Sequence, residues 1–310
     1  MTTMPTSRAG LCHEAFLYRD DEEYAAVVGS FVNTALEAGR PVLAAVSGSK
    51  VGALATALGE RSRDVEFLDI ADVGRNPSRI IPAFDAFREE HGGREVSFVD
   101  EPIWPGRTSA EIDEAIRHEA LVNSALAGTP AYALCSYHVG ALDDAVVAGV
   151  YRTHPVVQID GRREVSESFT DPELVWRSLT PLSAVPELVP AVEFALSRLP
   201  AVRDAVRAEA ERGGLTEERS NDLVVATSEV VGNSIRHGGG SGVLRTWLEP
   251  DGVVCEVRDR GQITDPLAGR RRPEPVAEGG WGLWLVNQLC DLVQLHTGPG
   301  GTTVRLRMIR

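Results

Sequence analysis

The sequence predicts an α/β protein made of two unlike halves, and three observations support this. In the first half, short apolar runs alternate with stretches of helical length, which is the pattern of βαβ units and of a mainly parallel sheet. In the second half, helical stretches come first and strand-like runs follow, which is typical of helices packed on an antiparallel sheet. The chain has 310 residues, 43% of them hydrophobic, which is enough for two cores.

The first half contains five predicted strands separated by helices. Strands are expected at 14–18, 41–46, 65–70, 95–100 and 131–135, and helices at 20–38, 77–90 and 109–127. Ligands of such sheets bind beyond the carboxyl ends of the strands. This rule indicates residues 47–50, 100–104 and 136–138 as the ligand-binding edge.

The second half begins after a proline-rich stretch with little periodicity between residues 158 and 190. Helices are then expected at 188–199, 201–212, 218–237 and 283–290, and strands at 243–248, 253–258, 292–296 and 303–308. A loop rich in glycine, proline and arginine covers 259–280. The predicted organisation is a first domain at 10–160, a connector at 161–187 and a second domain at 188–310.

Charge excludes several mechanisms. The net charge of -14 argues against a nucleic-acid ligand, since phosphate neutralisation needs clustered cations. Lys50 is the only lysine of the chain, and its segment Ser47-Gly48-Ser49-Lys50-Val51 does not match a phosphate-binding loop. If this protein handles nucleotides, another architecture must hold the phosphates.

Cysteine usage and hydropathy predict a cytoplasmic protein without membrane contact. The four cysteines form no Cys-x-x-Cys pair, which favours a reducing compartment. The sequence has no apolar run of 18 residues, and residues 1–10 lack the apolar core of a signal peptide.

A polar stripe marks the predicted helix at 218–237. Glu229, Asn233 and His237 recur every four residues and therefore share one helix face. A carboxylate can accept a proton, and an amide oxygen one turn away can bind Mg²⁺, which prefers oxygen ligands. Taken alone, this spacing equally fits a solvated helix face.

Three further motifs follow in order. Asp259-Arg260-Gly261 ends a strand and sets a carboxylate beside a residue without Cβ, where a flat ligand can approach. Gly279-Gly280-Trp281-Gly282-Leu283 opens a helix whose free N–H groups attract phosphate. Gly301-Thr302-Thr303 leads into the last strand and offers hydroxyl groups.

This ordered set of four motifs resembles the N, G1, G2 and final-strand boxes of the GHKL (Bergerat-type) ATP-binding fold, over about 190–310. The fold is shared by gyrase, a heat-shock chaperone, histidine kinases and MutL. The resemblance implies an α/β sandwich that binds ATP and Mg²⁺. Asn233 would hold Mg²⁺ through its amide oxygen, Asp259 would read the adenine amino group, and Glu229 would be the catalytic base. It also assigns ATP contacts to His237, Gly238, Gly261, Gly279, Gly280, Gly282, Leu283, Thr302 and Thr303.

The segment Ala226-Thr227-Ser228-Glu229 and the ending Arg236-His237-Gly238 look most like the small serine/threonine kinases that act as anti-sigma factors. That subfamily implies an anti-sigma antagonist of the STAS type and a sigma factor as partners, and homodimer formation. A non-catalytic, ATP-gated protein-binding module is the alternative, because Ile263 replaces the second glycine of the usual G1 box.

A histidine kinase is the third hypothesis, and histidine positions argue against it. Such a kinase needs a phospho-accepting histidine on a helix before the ATP domain, and the sequence has none between His154 and His237. The lid at 263–279 carries Arg270, Arg271 and Arg272, either as a solvated run or as cations for phosphates or an acidic partner.

The first half carries its own motifs. His13-Glu14-Ala15-Phe16-Leu17-Tyr18, Leu134-Cys135-Ser136-Tyr137-His138 and Thr153-His154-Pro155 resemble the MEDS sensory domain, named from methanogen and methylotroph regulators. The resemblance covers about 10–160 and implies a RecA-like sheet that senses a signal, with a small organic molecule as the expected ligand.

A metal site is a sharper hypothesis for the histidines and cysteines of the first half. Cys12, His13, Cys135, His138 and His154 are the candidate ligands. One Cys-x-x-His pair cannot fill a tetrahedral site, so the sequence favours a buried thiol and a structural histidine.

Overall fold

The computed structural model describes residues 10–177, 182–277 and 279–310. The chain divides into two compact units, the first ending at Trp176 and the second beginning at Arg177. The first unit is built on a mainly parallel sheet and the second on an antiparallel sheet. The predicted fold class is therefore confirmed.

The first unit is a seven-stranded sheet in the order β3-β2-β4-β5-β1-β6-β7, in which only the β6–β7 pair is antiparallel. Its strands are β1 (Leu11–Tyr18), β2 (Val42–Val46), β3 (Val65–Asp69), β4 (Val96–Asp100), β5 (Ala131–His138), β6 (Val156–Ile159) and β7 (Arg162–Val165). Its α-helices are α1 (Asp21–Glu37), α2 (Gly48–Leu58), α3 (Ile70–Val73), α4 (Ile80–Glu90), α5 (Ser109–Ala125), α6 (Asp144–Thr153) and α7 (Pro172–Arg177).

Alternate residues of β1 enter two separate cores. Phe16 and Tyr18 pack with α1 and α2, whereas Ala15 and Leu17 pack with α5 and α6. Successive side chains of a strand point to opposite faces, so helices cover both faces of this sheet. This burial explains why β2, β4 and β5 are nearly continuous apolar runs.

The second unit is a five-stranded antiparallel sheet in the order β11-β12-β10-β9-β8. Its strands are β8 (Ala191–Ala195), β9 (Ser241–Glu249), β10 (Gly252–Asp259), β11 (Leu292–Gly298) and β12 (Gly301–Ile309). Its helices are α8 (Leu199–Arg212), α9 (Glu217–His237) and α10 (Trp281–Leu289). One core joins all three helices to the sheet through residues such as Val206, Val231, Val286 and Leu306.

Two parts of the chain differ from the sequence-based expectation. The helix predicted at 188–199 is wrong, because this segment forms the edge strand β8 and a 3₁₀ turn at Leu196–Arg198. Phe194 is buried while Glu193 is exposed, an alternation that fits a strand with one covered face. The segment 161–187, predicted as a connector, contains β7 and α7, and its residues 178–181 lie outside the described residues.

Helices α2 and α6 escaped the sequence analysis, although both follow strands of the parallel sheet. Helix α2 begins at Gly48, inside the segment that does not match a phosphate-binding loop. The Lys50 ammonium instead lies over the rings of Tyr18 and Tyr24 and donates to Asp21 Oδ1 at 2.5 Å. Within the described ranges, no helix has both the length and the apolar character that crossing a membrane requires.

Candidate functional site

A cavity of about 720 Å³ opens in the second unit between α9, the loop after β10, the start of α10 and strand β12. Most of the residues singled out from the sequence line it together. They are Asn233, His237, Gly238, Asp259, Gly261, Gly280, Gly282, Leu283 and Thr302. Asn233 and Thr302 are 69 positions apart in the sequence, and the fold brings them together around one cavity.

Asp259 ends β10 and is held in a fixed orientation. Ser234 Oγ on α9 donates to Asp259 Oδ2 at 2.6 Å, and the backbone N–H of Gly261 donates to Oδ1 at 2.7 Å. A carboxylate has about four acceptor sites, so two such bonds leave acceptor capacity for a ligand. The arrangement presents a preoriented hydrogen-bond acceptor to the cavity.

Glycines around Asp259 make this close packing possible. A Cβ on Gly238 would lie 2.4 Å from the Asp259 carboxyl carbon, and one on Gly261 would lie 2.8 Å from Gly238 Cα. Gly301 has φ of +105°, and its Cβ would lie 2.0 Å from the Asp259 carbonyl oxygen. Any side chain at these positions would displace the acceptor or the strand that carries it.

A chain of hydroxyl groups fixes the loop after β10. Thr302 Oγ1 donates to the Gly261 carbonyl oxygen at 2.9 Å and shares a second bond of 2.9 Å with Thr297 Oγ1. The N–H of Ile263 donates to Thr297 Oγ1 at 3.0 Å. Ile263, which stands where the G1 box usually has glycine, therefore lines the cavity with a tethered backbone.

Helix α9 carries the polar stripe against the start of α10. Thr216 caps α9 by accepting from the N–H of Arg219, which fixes where the 21-residue helix begins. At Gly282 a Cβ would lie 2.9 Å from Glu229 Oε2 and 3.3 Å from Asn233 Nδ2, so glycine lets α10 approach both groups. Arg236 donates to Asn233 Oδ1 at 2.8 Å.

The lid contacts α10 through Gly269. Asn287 Nδ2 donates to the carbonyl oxygen of Gly269 at 2.9 Å, and Gly269 has φ of +75°. Its absent Cβ would lie 2.8 Å from Leu283 Cβ, so only glycine allows this approach. Arg271 and Arg272 are exposed residues that line the cavity from the same loop.

Three predicted site residues do not line the cavity. Glu229 lies one turn before Asn233 and reaches the helix start at Gly282, at the rim. Gly279 precedes the α10 cap outside the lining. Thr302 and Val304 face the cavity, and Thr303 points to the opposite face of the sheet, because strand neighbours alternate.

Sequence reasoning missed Ser234, Thr297 and Asn287. Ser234 could have been found from the sequence, since it follows Asn233 and falls on the buried face of α9 with Val230 and Val231. Thr297 could not have been found in this way, because its position beside Thr302 depends on the register of β11 and β12. The hydrogen bond from Asn287 to Gly269 also could not be predicted, because it forms only when the lid is folded onto α10.

The candidates of the first unit separate into two sets. His13, Cys135 and His154 meet in the interior with Glu119. Cys12 and His138 stay apart: Cys12 Sγ donates to Glu14 Oε1, and the His138 ring stacks on Tyr18 with Nε2 2.9 Å from the Arg19 carbonyl oxygen.

The antiparallel sheet covered by three helices has an acceptor carboxylate and a glycine-rich helix start at one cavity. This arrangement defines an ATP-binding domain of the GHKL class. Family models agree with both halves. Residues 192–308 match the histidine kinase-like ATPase domain, and residues 12–155 match the MEDS domain, described as the methanogen/methylotroph, DcmR sensory domain.

Curated relatives identify the group more closely. The chain is 32% identical over 111 residues to the serine-protein kinase RsbW of Halalkalibacterium halodurans, covering 32% of this chain and 68% of the relative. It is 26% identical over 144 residues to RsbW of Bacillus pumilus, covering 41% and 83%. The chain belongs to the RsbW family of serine-protein kinases, with a MEDS domain preceding the kinase domain.

A solved structure of the RsbU and RsbW domains of a Mycobacterium tuberculosis protein is 25% identical, with a TM-score of 0.30. The match covers 39% of this chain and 32% of that one.

Proposed function

We propose that this chain is a cytoplasmic signalling regulator whose second unit binds ATP and Mg²⁺ and phosphorylates a serine or threonine of an anti-sigma antagonist. The same unit would hold a sigma factor, and the first unit would receive the signal. The RsbW relatives are named serine-protein kinases, which supports the reaction class.

The observation that carries the proposal is the fixed Asp259 carboxylate at the wall of the cavity. An exocyclic amino group is a donor, and Asp259 offers an acceptor whose two bonds to Ser234 and Gly261 are already made. Preorganisation lowers the cost of binding, because the acceptor need not be ordered when the ligand arrives. We assign Asp259 to the adenine amino group on this basis.

The phosphates would meet the start of α10 and Asn233. Backbone N–H groups at a helix start favour anions, and the glycines at 280 and 282 leave the approach open. Asn233 supplies an amide oxygen, the kind of donor that Mg²⁺ prefers, so this residue fits the ion. Asn233 would hold the ion, which would offset the negative charge of the phosphates.

Glu229 is assigned as the base toward the hydroxyl of the partner protein. Its carboxylate lies beside Gly282 at the rim, where the polypeptide of a partner can reach it while nucleotide fills the cavity. A positioned general base contributes about 10²–10⁴-fold to rate. In the same proposal, the ATP cavity is lined by His237, Gly238, Gly261, Leu283 and Thr302. Gly279 and Thr303, which the sequence also assigns to ATP, lie outside this lining.

Phosphotransfer from labelled ATP to a purified STAS-type antagonist tests the assignment. Glu229→Gln should lower the rate by about 10²–10⁴-fold and leave ATP affinity within about twofold. Glu218→Gln is the matched control, because Glu218 is exposed near the other end of the same helix. Unchanged transfer by Glu229→Gln would refute the role of this base.

A second candidate function is an ATP-gated protein-binding module without transfer. It is favoured by the Arg236 bond to Asn233 Oδ1, which occupies the oxygen assigned to Mg²⁺, and by Ile263 in the loop. Under this alternative, the wild-type chain binds its partner in proportion to ATP and forms no phosphoprotein. Size-exclusion chromatography of the chain with ATP also tests the homodimer.

A further inference from the structure

Four potential metal ligands from four elements converge in the interior of the first unit. They are His13 on β1, Glu119 on α5, Cys135 on β5 and His154 after α6, and each is at most 2% exposed. One ligand atom from each lies within 4.8 Å of every other. The set belongs to the MEDS unit and takes no part in the ATP cavity described above.

Hydrogen bonds behind His154 fix its tautomer. Its Nδ1 lies 3.0 Å from the Val150 carbonyl oxygen, which can only accept, so Nδ1 carries the proton. In the neutral imidazole, the Nε2 lone pair therefore points at Glu119 Oε2, 2.9 Å away. Two acceptors at this distance need a cation or a proton between them.

The same holds for His13. Asn123 Nδ2 donates to the carbonyl oxygens of Glu119, Ala120 and Thr153, which turns Asn123 Oδ1 toward His13 Nδ1 at 3.1 Å. His13 Nδ1 is then the donor, and its Nε2 faces Cys135 Sγ at 3.3 Å and Glu119 Oε2 at 3.4 Å. Outer hydrogen bonds of this kind are what hold metal-binding histidines in orientation.

The spacing suits a small tetrahedral ion. Zinc bonds of about 2.0–2.3 Å imply ligand atoms about 3.3–3.8 Å apart along each edge of a tetrahedron. The observed separations of 2.9 Å (His154 Nε2 to Glu119 Oε2), 3.3 Å (His13 Nε2 to Cys135 Sγ) and 3.4 Å (His13 Nε2 to Glu119 Oε2) are close to that edge. The donor set of two nitrogens, one sulfur and one oxygen is also one that zinc accepts.

The charge of the buried carboxylates gives an independent reason to expect a bound cation. Asp100 is 1% exposed and has a carboxylate oxygen within 4.8 Å of Glu119, so two carboxylates share a dry interior. A divalent ion bound by the Cys135 thiolate, the Glu119 carboxylate and two neutral imidazoles would make the inner set neutral and remove the cost of an unpaired buried charge.

We propose that His13, Glu119, Cys135 and His154 form a binding site for a divalent transition metal ion, with Zn²⁺ as the preferred occupant. With four protein ligands, the site has the closed form of a structural centre. It ties β1 and β5, adjacent strands at the middle of the sheet, to α5 and to the end of α6.

Elemental analysis and cobalt substitution of the full-length chain test this. Purified chain should retain about one zinc ion after gel filtration. Chain reloaded with Co²⁺ should show a thiolate-to-cobalt charge-transfer band and the intense visible bands of tetrahedral cobalt. The thiolate band distinguishes this site from cobalt at the nucleotide cavity, where no cysteine lies among the lining residues.

Matched variants assign the ligands. Cys135→Ser should abolish the charge-transfer band and weaken metal binding about tenfold or more, whereas Cys12→Ser should change neither. His154→Gln should lose zinc, and His91→Gln should keep it. A chelator should lower the melting temperature of the wild-type chain and leave that of His154→Gln unchanged.

A folded wild-type chain with only trace zinc and no thiolate band under cobalt would overturn the proposal. That result would leave a metal-free cluster of hydrogen-bonded histidines and carboxylate. A band that survives in Cys135→Ser would also overturn it. If Cys135→Ser fails to fold, the spectrum and metal content of the wild-type chain still decide the question.

Discussion

Each unit of this protein arranges polar groups around one carboxylate, and the two surroundings are opposite in kind. Glu119 of the first unit is fully buried and meets two histidines, a thiol and the hydroxyl of Tyr137. Asp259 of the second unit is held by one hydroxyl and one backbone N–H at the wall of an open cavity. The closed cluster suits a small ion, and the open one suits a ligand that enters and leaves.

The sheets explain the difference. A parallel sheet covered on both faces buries its central strands, so polar residues on them have to satisfy one another. An antiparallel sheet with helices on one face leaves loops at its end free to form a lid.

Asp259→Asn should weaken ATP binding by roughly 10- to 100-fold, or about 1.5–3 kcal/mol, the usual range for a hydrogen bond to a charged group. The amide also offers one acceptor where the carboxylate offers two. Asp204→Asn, at an exposed position on α8, is the control. Titration calorimetry measures both, and equal affinities would show that the open carboxylate does not read the ligand.

Gly238→Ala should impair ATP binding by pushing the Asp259 carboxylate out of place, at a cost of about 1–3 kcal/mol for overpacking. The new Cβ would lie 2.4 Å from the carboxyl carbon. Gly232→Ala, on the same helix, meets only Arg236 at 3.5 Å and should be neutral or slightly stabilising. The nucleotide affinity and the melting temperature of the two variants test this prediction. Equal nucleotide affinities for Gly238→Ala and Gly232→Ala would contradict it.

In the metal-free chain, acid should destabilise the closed cluster between pH 7 and pH 5.5, by at most about 1.4 kcal/mol per pH unit, which is the slope for one proton. Burial, followed by the charge of His13, lowers the pKa of His154. Below about pH 6.5, His154 therefore binds a proton more readily in the unfolded chain than in the folded chain. The free energy of unfolding falls as the pH decreases.

Thermal unfolding of the full chain across this range measures the slope, which His154→Gln should reduce and His91→Gln should retain. A pH-independent melting temperature would contradict the assignment.

Charge reversal in the lid should have the smallest effect. Arg271→Glu and Arg272→Glu should weaken ATP binding by at most about fivefold each, or about 1 kcal/mol, because exposed charges are screened by water and salt. Arg162→Glu, on the exposed strand β7 of the other unit, is the control. Effects equal to that control would show that the lid arginines do not meet the phosphates, and high salt should reduce any difference.

The motifs of the second unit could be found from the sequence because each is local. Asp259 and Gly261 are two residues apart, and Glu229 and Asn233 are one helical turn apart, so spacing alone reports their relation. The sequence wrongly predicts a helix at the edge strand β8, because five residues are too few to show the alternation of buried and exposed side chains clearly. Thr303 was grouped with Thr302, although the strand sends the two side chains to opposite faces.

By itself, the sequence determined the two α/β halves, the absence of a phosphate-binding loop and the order of the ATP motifs. These depend on periodicity, composition and short spacings, which survive in one dimension. Only the tertiary structure decided that Ser234 and Thr297 support the nucleotide cavity, and that Glu119 joins His13, Cys135 and His154. His13 and Cys135 are 122 positions apart. Contacts over such separations depend on the order and register of strands, which no local pattern encodes.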